Sequence, residues 1–329
     1  MHTLRRSLVL LSLTLVASAV SASAKSQIPD YDAFFVFSDS LGDTGNDLIR
    51  TASLGANPAI PPSTSPHRTY FRGRFSNGPI LFEYLWALLN PLEGKVTPSL
   101  AVTKVPKTGA LSFAYGGSTS GAACFPLAGL RCQVEEFAAL LAGRQPPKPA
   151  LYAVFSGAND VLQAPNPFDP AVVGGIVTNI GAAVERLYQL GARDVMVFNM
   201  PNLGRSPIVA DPALKAGLNA LAQQHNAALD TLLAGLTTSL PGVRIIPIDV
   251  YAFLESLATT SAFNFEVTAL PAPLSFCLFD GEPAGANCTD TTFLVDPRYF
   301  FWDVEHPTTV GHAATGLFVL RELAAYFRD

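Results

Sequence analysis

The sequence has few charged residues, and beyond its N-terminus it has no hydrophobic run long enough to cross a membrane. Only 14% of the 329 residues are Asp, Glu, Lys or Arg, whereas 49% are hydrophobic. A chain of this composition can bury a large core, which excludes an intrinsically disordered protein. Internal repeats, low-complexity segments and changes of composition that would mark a linker are also lacking, which indicates one globular domain.

Positive charge is scarce except at the N-terminus. Arg5 and Arg6 precede an apolar run at residues 8–20, and residues 22–24 have the A-x-A form of a signal-peptidase site. The run is short for a bilayer span, so a signal peptide of residues 1–24 is favoured over a membrane anchor. We expect cleavage after Ala24 and a secreted or periplasmic protein, with a single mature domain of residues 25–329.

Removal of the signal peptide makes the chain more acidic. The formal net charge is -5, and it falls to about -7 without the two arginines. Acidic proteins bind nucleic acids and anionic membrane surfaces poorly. We therefore expect no nucleic-acid partner and, after signal removal, no integral membrane segment.

Cysteine is rare, with four residues at positions 124, 132, 277 and 288. An even number in an exported protein predicts two disulfides, for which three pairings are possible. The local pairing, Cys124–Cys132 with Cys277–Cys288, is the simplest because each bond closes one loop rich in glycine and proline. No C-x2-C spacing is present, which disfavours zinc ligation.

Short apolar segments alternate with helical patterns along the mature chain. Strands are predicted at residues 34–37, 110–115, 151–155, 195–198 and 243–248, with long helices at 170–190, 212–240 and 310–327. This alternation predicts an α/β fold with a parallel sheet that helices cover on both faces. In such folds the active site lies at the carboxyl ends of the strands.

Three of these strand ends carry residues that are suited to catalysis. Ser40 follows the first predicted strand, Gly117 the second and Asn159 the third. We expect Ser40 at the start of a helix, where backbone N–H groups favour negative charge. The N–H groups of Ser40 and Gly117 and the Asn159 amide are therefore predicted donors of an oxyanion hole.

A fourth segment supplies a candidate base. Asp303 and His306 are three residues apart, just before the last predicted helix. That spacing lets the carboxylate fix the imidazole tautomer and leaves Nε2 free to deprotonate Ser40. Each residue alone is more often a cap, a turn or a surface pair, but their combination at strand ends predicts a catalytic triad.

These residues lie in four of six motifs that together resemble the GDSL/SGNH hydrolase family, in particular its larger branch of plant GDSL esterase/lipases and bacterial secreted esterases and phospholipases. The chain departs from the family pattern at Ser38, where the family has Gly, and at Ser112, where it has Asn. The motifs are FSDSLGDTGN at 37–46, GRFSNG at 73–78, FAYGGST at 113–119, GAND at 157–160, NMPNLG at 199–204 and FWDVEHPT at 301–308.

The resemblance implies a three-layer α/β/α sandwich of the flavodoxin-like type with a five-stranded parallel sheet. It implies Ser40 as nucleophile, His306 as base and Asp303 as the residue that orients the base. It also implies Ser40, Gly117 and Asn159 as oxyanion donors. We therefore expect a monomeric serine ester hydrolase that acts on small-molecule or lipid esters, prefers short acyl chains and uses no metal or other cofactor.

Several alternatives remain open at this point. A lipid acyltransferase or a (lyso)phospholipase of the same fold would use the same residues, and a secreted binding module would keep the fold without activity. The segment around Ser40 is one residue from the G-x-S-x-G elbow of α/β-hydrolases, but that fold places its elbow in the middle of the chain. Glu305, His306 and His312 lack the H-E-x-x-H spacing of a zinc site, and we expect His312 to pack on the last helix.

Overall fold

The computed structural model describes residues 24–260, 262–270, 274–278 and 285–328. The predicted signal peptide, apart from Ala24, therefore lies outside the described residues. In the part of the chain that is described, no helix is both long enough and apolar enough to cross a bilayer.

The first strand shows why the sheet has a core on both faces. Every residue of β1, Ala33–Ser38, is buried. Phe35 and Phe37 lie on one face and pack against Phe137, whereas Phe34 belongs to the apolar cluster on the other face. Side chains alternate between the faces of a strand, so a strand covered on both sides needs a continuous apolar run.

The main sheet is parallel, as predicted, but it contains six strands rather than the predicted five, in the order β2-β3-β1-β4-β5-β6. The additional strand, β2, has only three residues and ends at a proline, so it lacks the apolar run that identifies the others. A further short parallel pair, β7 with β8, lies outside this sheet. The strands are β1 Ala33–Ser38, β2 Val96–Pro98, β3 Gly109–Ser112, β4 Ala150–Phe155, β5 Asp194–Phe198, β6 Arg244–Ile248, β7 Asn264–Thr268 and β8 Tyr299–Phe301.

Helices cover both faces of the main sheet and complete the predicted three-layer arrangement. They are α1 Asn46–Ser53, α2 Leu81–Leu89, α3 Leu130–Leu141, α4 Ala158–Leu162, α5 Pro170–Gln189, α6 Pro212–Ser239, α7 Val250–Thr259 and α8 Thr309–Arg328. Helices α3, α5 and α6 bury apolar side chains on one face of the sheet, and α2 and α8 pack together on the other.

Helix α5 illustrates how the local sequence sets these bounds. Pro170 occupies its first turn, and the Asp169 carboxylate accepts a hydrogen bond from the Ala171 N–H at 2.9 Å, so Asp169 is the N-cap. The buried residues of the helix recur every three or four positions and form the face that packs on the sheet. They are Val173, Ile176, Ile180, Gly181, Ala183, Val184 and Leu187.

The order of the strands determines where a site can form. Strand β1 pairs with β3 on one side and with β4 on the other, so the chain runs outward from β1 in both directions. In open α/β sheets a crevice forms at such a switch point, at the carboxyl ends of the strands. The residues that follow β3, β1 and β4 therefore meet at one edge of the sheet.

Two loops and two disulfides shape the surroundings of this edge. Tyr70, from the loop between α1 and α2, packs with Trp302 and with both cysteines of the second disulfide in one buried cluster. The disulfides are Cys124–Cys132 and Cys277–Cys288, which is the local pairing that the sequence favoured. Disulfides of this kind are typical of exported proteins.

Candidate active site

Ser40, His306 and Asp303 form a chain of hydrogen bonds at the carboxyl edge of the sheet. His306 Nε2 lies 2.9 Å from Ser40 Oγ, and His306 Nδ1 lies 2.7 Å from Asp303 Oδ2. The three residues are at most 9% exposed. An imidazole protonated at Nδ1 donates to Asp303, and its Nε2 then accepts from the Ser40 hydroxyl.

The turn that follows Asp303 explains the three-residue spacing. Asp303 Oδ1 accepts hydrogen bonds from the backbone N–H groups of Glu305 and His306, at 2.8 Å and 2.7 Å. These bonds fold the chain back, so that the imidazole lies over the carboxylate. The spacing that singled out Asp303 and His306 in the sequence is thus the spacing of a turn closed by the aspartate itself.

Asp303 has one further partner, which sequence reasoning missed. The hydroxyl of Tyr70 donates to Asp303 Oδ2 at 2.7 Å, and Tyr70 is fully buried. This tyrosine lies in a loop without hydrophobic periodicity, so no pattern in the sequence links it to a residue 233 positions away. The carboxylate is therefore held from two sides, by the imidazole and by the phenol.

The charges around the imidazole raise its pKa. Burial lowers the pKa of His306, but the charge and hydrogen bond of Asp303, with smaller contributions from Glu305 and Asp39, raise it above its usual value. Burial raises the pKa of the Asp303 carboxyl, but His306 and the backbone N–H groups hold it below its usual value. Asp303 is therefore ionised at neutral pH, and His306 is a neutral base only above its raised pKa.

Ser40 lies in a tight turn rather than at the start of a helix. The Gly42 N–H donates to the Asp39 carbonyl at 3.0 Å, and α1 begins only at Asn46. The expectation that a helix starts at Ser40 is therefore wrong. The Asp43 carboxylate accepts hydrogen bonds from three successive backbone N–H groups at the start of α1, which caps the helix at this later point.

The turn accommodates the two departures from the family motifs. The Ser38 N–H donates to Gln133 Oε1 at 3.0 Å, and Gln133 Nε2 donates to the Ser38 carbonyl at 2.8 Å. A Cβ on Gly42 would lie 2.6 Å from Ser38 Cβ, so the missing side chain at Gly42 makes room for Ser38. Ser112 donates its hydroxyl to the Gly42 carbonyl at 2.7 Å and thereby links β3 to the turn.

Gly117 and Asn159 line the same cavity as Ser40 and His306. Gly117 has a φ of +70°, a conformation that glycine adopts without steric cost. The backbone N–H groups of Ser40 and Gly117 donate to no acceptor in the described parts of the chain. Asn159 Nδ2 donates to the Ser118 carbonyl at 3.0 Å, which orients the amide and leaves its second N–H. Donors of this kind bind a negatively charged oxygen next to the serine.

The catalytic cavity, as we call this space, has a volume of about 410 Å³. Its ionisable side chains are Asp47, Glu305 and His306, and no Lys or Arg is found among the described residues that line it. Apolar side chains form much of the remaining wall. They are Ile60, Phe75, Leu127, Leu162, Ile208 and Leu278.

The other histidine near the cavity has a different environment. His312 lies in α8 as expected and is 3% exposed. Burial and the neighbouring charge of His306 lower the pKa of His312 to about 3, so it is neutral. The described residues contain no group of His, Cys, Asp and Glu side chains that is arranged to hold a metal ion.

Comparison with known proteins shows one family. The family model described as GDSL-like Lipase/Acylhydrolase matches residues 34–318. The Arabidopsis thaliana protein GDSL esterase/lipase At4g16230 is 28% identical over 323 residues, which cover 84% of this chain and 83% of the relative. GDSL esterase/lipase LIP-4 from the same plant is 28% identical over 358 residues, which cover 95% of this chain and 90% of the relative. Among solved structures, the acetylxylan esterase Axe2 from Geobacillus stearothermophilus gives a TM-score of 0.48 at 14% identity, over 90% of this chain and 96% of Axe2.

Proposed function

We propose a mechanism from the premise that this chain belongs to the GDSL-like lipase/acylhydrolase family and hydrolyses ester bonds. In this proposal Ser40 is the nucleophile, His306 the general base and Asp303 the residue that orients the base. The observation that carries the proposal is the pair of hydrogen bonds, of 2.9 Å and 2.7 Å, that joins the three side chains. A serine hydroxyl needs such a base because it is a weak nucleophile at its ordinary pKa.

The first step forms an acyl-enzyme. Ser40 Oγ attacks the carbonyl carbon of the ester, and its proton moves to His306 Nε2. The resulting imidazolium is stabilised by the ionised Asp303. The tetrahedral intermediate then collapses, the bond to the alcohol oxygen breaks, and the alcohol leaves with the proton from Nε2.

The second step hydrolyses the acyl-enzyme, with water as the nucleophile and Ser40 as the leaving group. A water molecule gives a proton to His306 Nε2 and attacks the acyl carbon. The bond to Ser40 Oγ breaks, the serine recovers the proton from Nε2, and the carboxylic acid is released.

The oxyanion of both intermediates is assigned to three donors. They are the backbone N–H groups of Ser40 and Gly117 and the second N–H of the Asn159 amide. The two backbone groups have no acceptor in the described chain, and the amide is already oriented by Ser118, so their arrangement before the reaction supports this role. Removal of one such donor typically lowers kcat by about 10²–10³-fold.

The substrate proposed for this site is an uncharged ester with a short acyl chain. A volume of about 410 Å³ lies toward the small end of the range of roughly 300–1,000 Å³ that ligand pockets occupy. Carboxyl groups without a lining Lys or Arg disfavour anionic groups such as a phosphate. Comparison of p-nitrophenyl acetate, butyrate and decanoate tests this preference: kcat/KM should fall along the series, and a higher value for decanoate would contradict it.

Export is part of the proposal. Residues 1–24 are proposed as a signal peptide that precedes one hydrolase domain of residues 25–329, and the two disulfides support an oxidising destination. N-terminal sequencing of the protein recovered outside the cytoplasm should begin at Lys25. A protein that keeps residues 1–24 would contradict this part of the proposal.

A matched pair of serine variants tests the nucleophile. Ser40→Ala should abolish hydrolysis of p-nitrophenyl acetate. Ser38→Ala is the control, because Ser38 is buried two residues away and its hydroxyl has no hydrogen-bond partner in the described structure. Equal turnover by Ser40→Ala and the wild type would exclude Ser40 as nucleophile, and a wild type without turnover would favour the binding module.

A further inference from the structure

One carboxyl group in the catalytic cavity has no part in the proposed reaction. Asp47 lies in the first turn of α1, is 2% exposed and lines the same cavity as Ser40 and His306. Its Oδ1 atom is buried and has no hydrogen-bond partner among the residues described. Buried polar atoms in folded proteins are nearly always paired, so a carboxyl group without a partner beside the cavity is a candidate ligand-binding group.

The neighbouring carboxyl, Asp43, differs in this respect. Its two oxygens accept hydrogen bonds from the backbone N–H groups of Gly45, Asn46, Asp47 and Gly116, at 2.7 to 3.2 Å. These donors satisfy Asp43 as a carboxylate. Burial and the charge of Asp43 raise the pKa of the Asp47 carboxyl above its usual value. A protonated carboxyl both donates one hydrogen bond and accepts others.

Asp47 also lies next to the proposed oxyanion donors. A Cβ on Gly116 would be only 2.7 Å from Asp47 Oδ2, so the carboxyl contacts the backbone one residue before Gly117. Phe75 packs on the same side of Gly116, with Cζ 2.2 Å from the same Cβ position. A group bound to Asp47 would therefore be close to the ester carbonyl.

We propose that Asp47 is a substrate-binding residue, whose carboxyl takes a free hydroxyl of the alcohol part of a polyol ester. This inference rests on the proposed function of the same site. A hydroxyl can accept from the carboxyl O–H and donate to a carboxyl oxygen, so it satisfies both capacities of the acid. An alkyl group would leave the carboxyl group without a partner, and an anion would be opposed by Asp43 and by Glu305, the other carboxyl group that lines the cavity.

The test compares two acetates whose alcohols both have three carbons, glycerol monoacetate and propyl acetate. Its measured quantity is the ratio of kcat/KM for the two esters. Loss of one hydrogen bond to the hydroxyl in Asp47→Ala should lower that ratio about tenfold. Asp47→Asn is the control, since its amide still donates and accepts, and it should keep most of the preference.

The outcomes separate this inference from the proposed function. If the ratio in Asp47→Ala equalled that of the wild type, the inference would be overturned. The partner of the Asp47 carboxyl would then be an ordered water and not the substrate. If Asp47→Ala does not fold, Asp47→Leu provides the same loss of hydrogen bonding with a fuller side chain. A wild type that hydrolyses neither acetate would instead contradict the proposed function, with Ser40→Ala as the inactive reference.

Discussion

The two sides of the catalytic cavity are held by different structural means. Ser40, Gly117 and Asn159 follow the adjacent parallel strands β1, β3 and β4, so the register of the sheet sets the spacing between them. Asp303 and His306 follow β8, which has only three residues and lies outside the main sheet. We call these groups the strand-end side and the loop side of the cavity.

On the loop side, individual hydrogen bonds, both local and distant in sequence, replace the pairing of strands. Asp303 accepts from Tyr70, and the His306 carbonyl accepts from the Trp302 N–H at 2.7 Å. A position that depends on few polar contacts is more sensitive to the loss of one side chain than a position set by strand pairing. Apart from the nucleophile itself, the largest loss of activity is therefore expected for a residue of the loop side.

Among residues other than the nucleophile, the largest effect is expected for Asp303→Asn. The amide cannot hold the imidazole in the tautomer that leaves Nε2 free, so kcat should fall about 10⁴-fold. Asp296→Asn is the control, because Asp296 lies just before β8 and is paired with Arg298. Steady-state kinetics with p-nitrophenyl acetate would measure both variants, and a loss of less than tenfold for Asp303→Asn would contradict the loop-side account.

A smaller effect is expected on the strand-end side, for Asn159→Ala. This substitution removes one of three oxyanion donors, so kcat should fall about 10²–10³-fold while KM stays nearly constant. The separation of kcat from KM matters here, because a donor that acts only on the transition state does not bind the ground state. A rise in KM with unchanged kcat would assign Asn159 to substrate binding.

Tyr70→Phe should lower activity moderately, because it removes one hydrogen bond that holds the loop side. The phenol donates to the ionised Asp303, and the loss of one such bond should lower kcat about tenfold. Tyr152→Phe is the matched control, because Tyr152 is 1% exposed and its hydroxyl has no partner in the described structure. Equal activities of the two variants would show that Tyr70 does not position Asp303.

The smallest effect is expected for Glu305→Gln, as a shift in pH dependence. Burial lowers the pKa of His306, but Asp303 and Glu305 raise it, so removal of the Glu305 charge should lower it again. His306 acts as a base when it is neutral. The acidic limb of the pH profile of kcat/KM should therefore move to lower pH. Glu135→Gln, at an exposed ion pair with Arg186, should leave the limb in place. If the acidic limb of Glu305→Gln moved to higher pH instead, the Glu305 charge would not raise the pKa of His306, and the prediction would be wrong.

The sequence indicated the residues of the strand-end side because their signals are local. Each of the strands β1, β3 and β4 is an apolar run followed by small polar residues, and this pattern pointed to Ser40, Gly117 and Asn159. The local error was the helix start. Helix α1 begins only at Asn46, because the Asp43 side chain caps it there. Hydrophobic periodicity gives no sign of such a side-chain contact.

The loop side was predictable only where its contacts are local. Asp303 and His306 were found by their three-residue spacing, whereas Tyr70 reaches the site across 233 positions and leaves no pattern. Strands β2 and β8 have only three residues, and β7 alternates polar with apolar residues, so none of them shows the longer apolar run that identified the other strands. The Asp47 oxygen became visible only through its burial in the folded chain.

The central claim is that Ser40 Oγ is the attacking atom and that the loop side activates it. Covalent labelling with an alkyl fluorophosphonate, followed by peptide mass spectrometry that distinguishes Ser38 from Ser40, tests it most directly. The account predicts a single adduct on Ser40, formed rapidly by the wild type and slowly by Asp303→Asn. An adduct on another residue, or an enzyme that hydrolyses esters without labelling at Ser40, would contradict it.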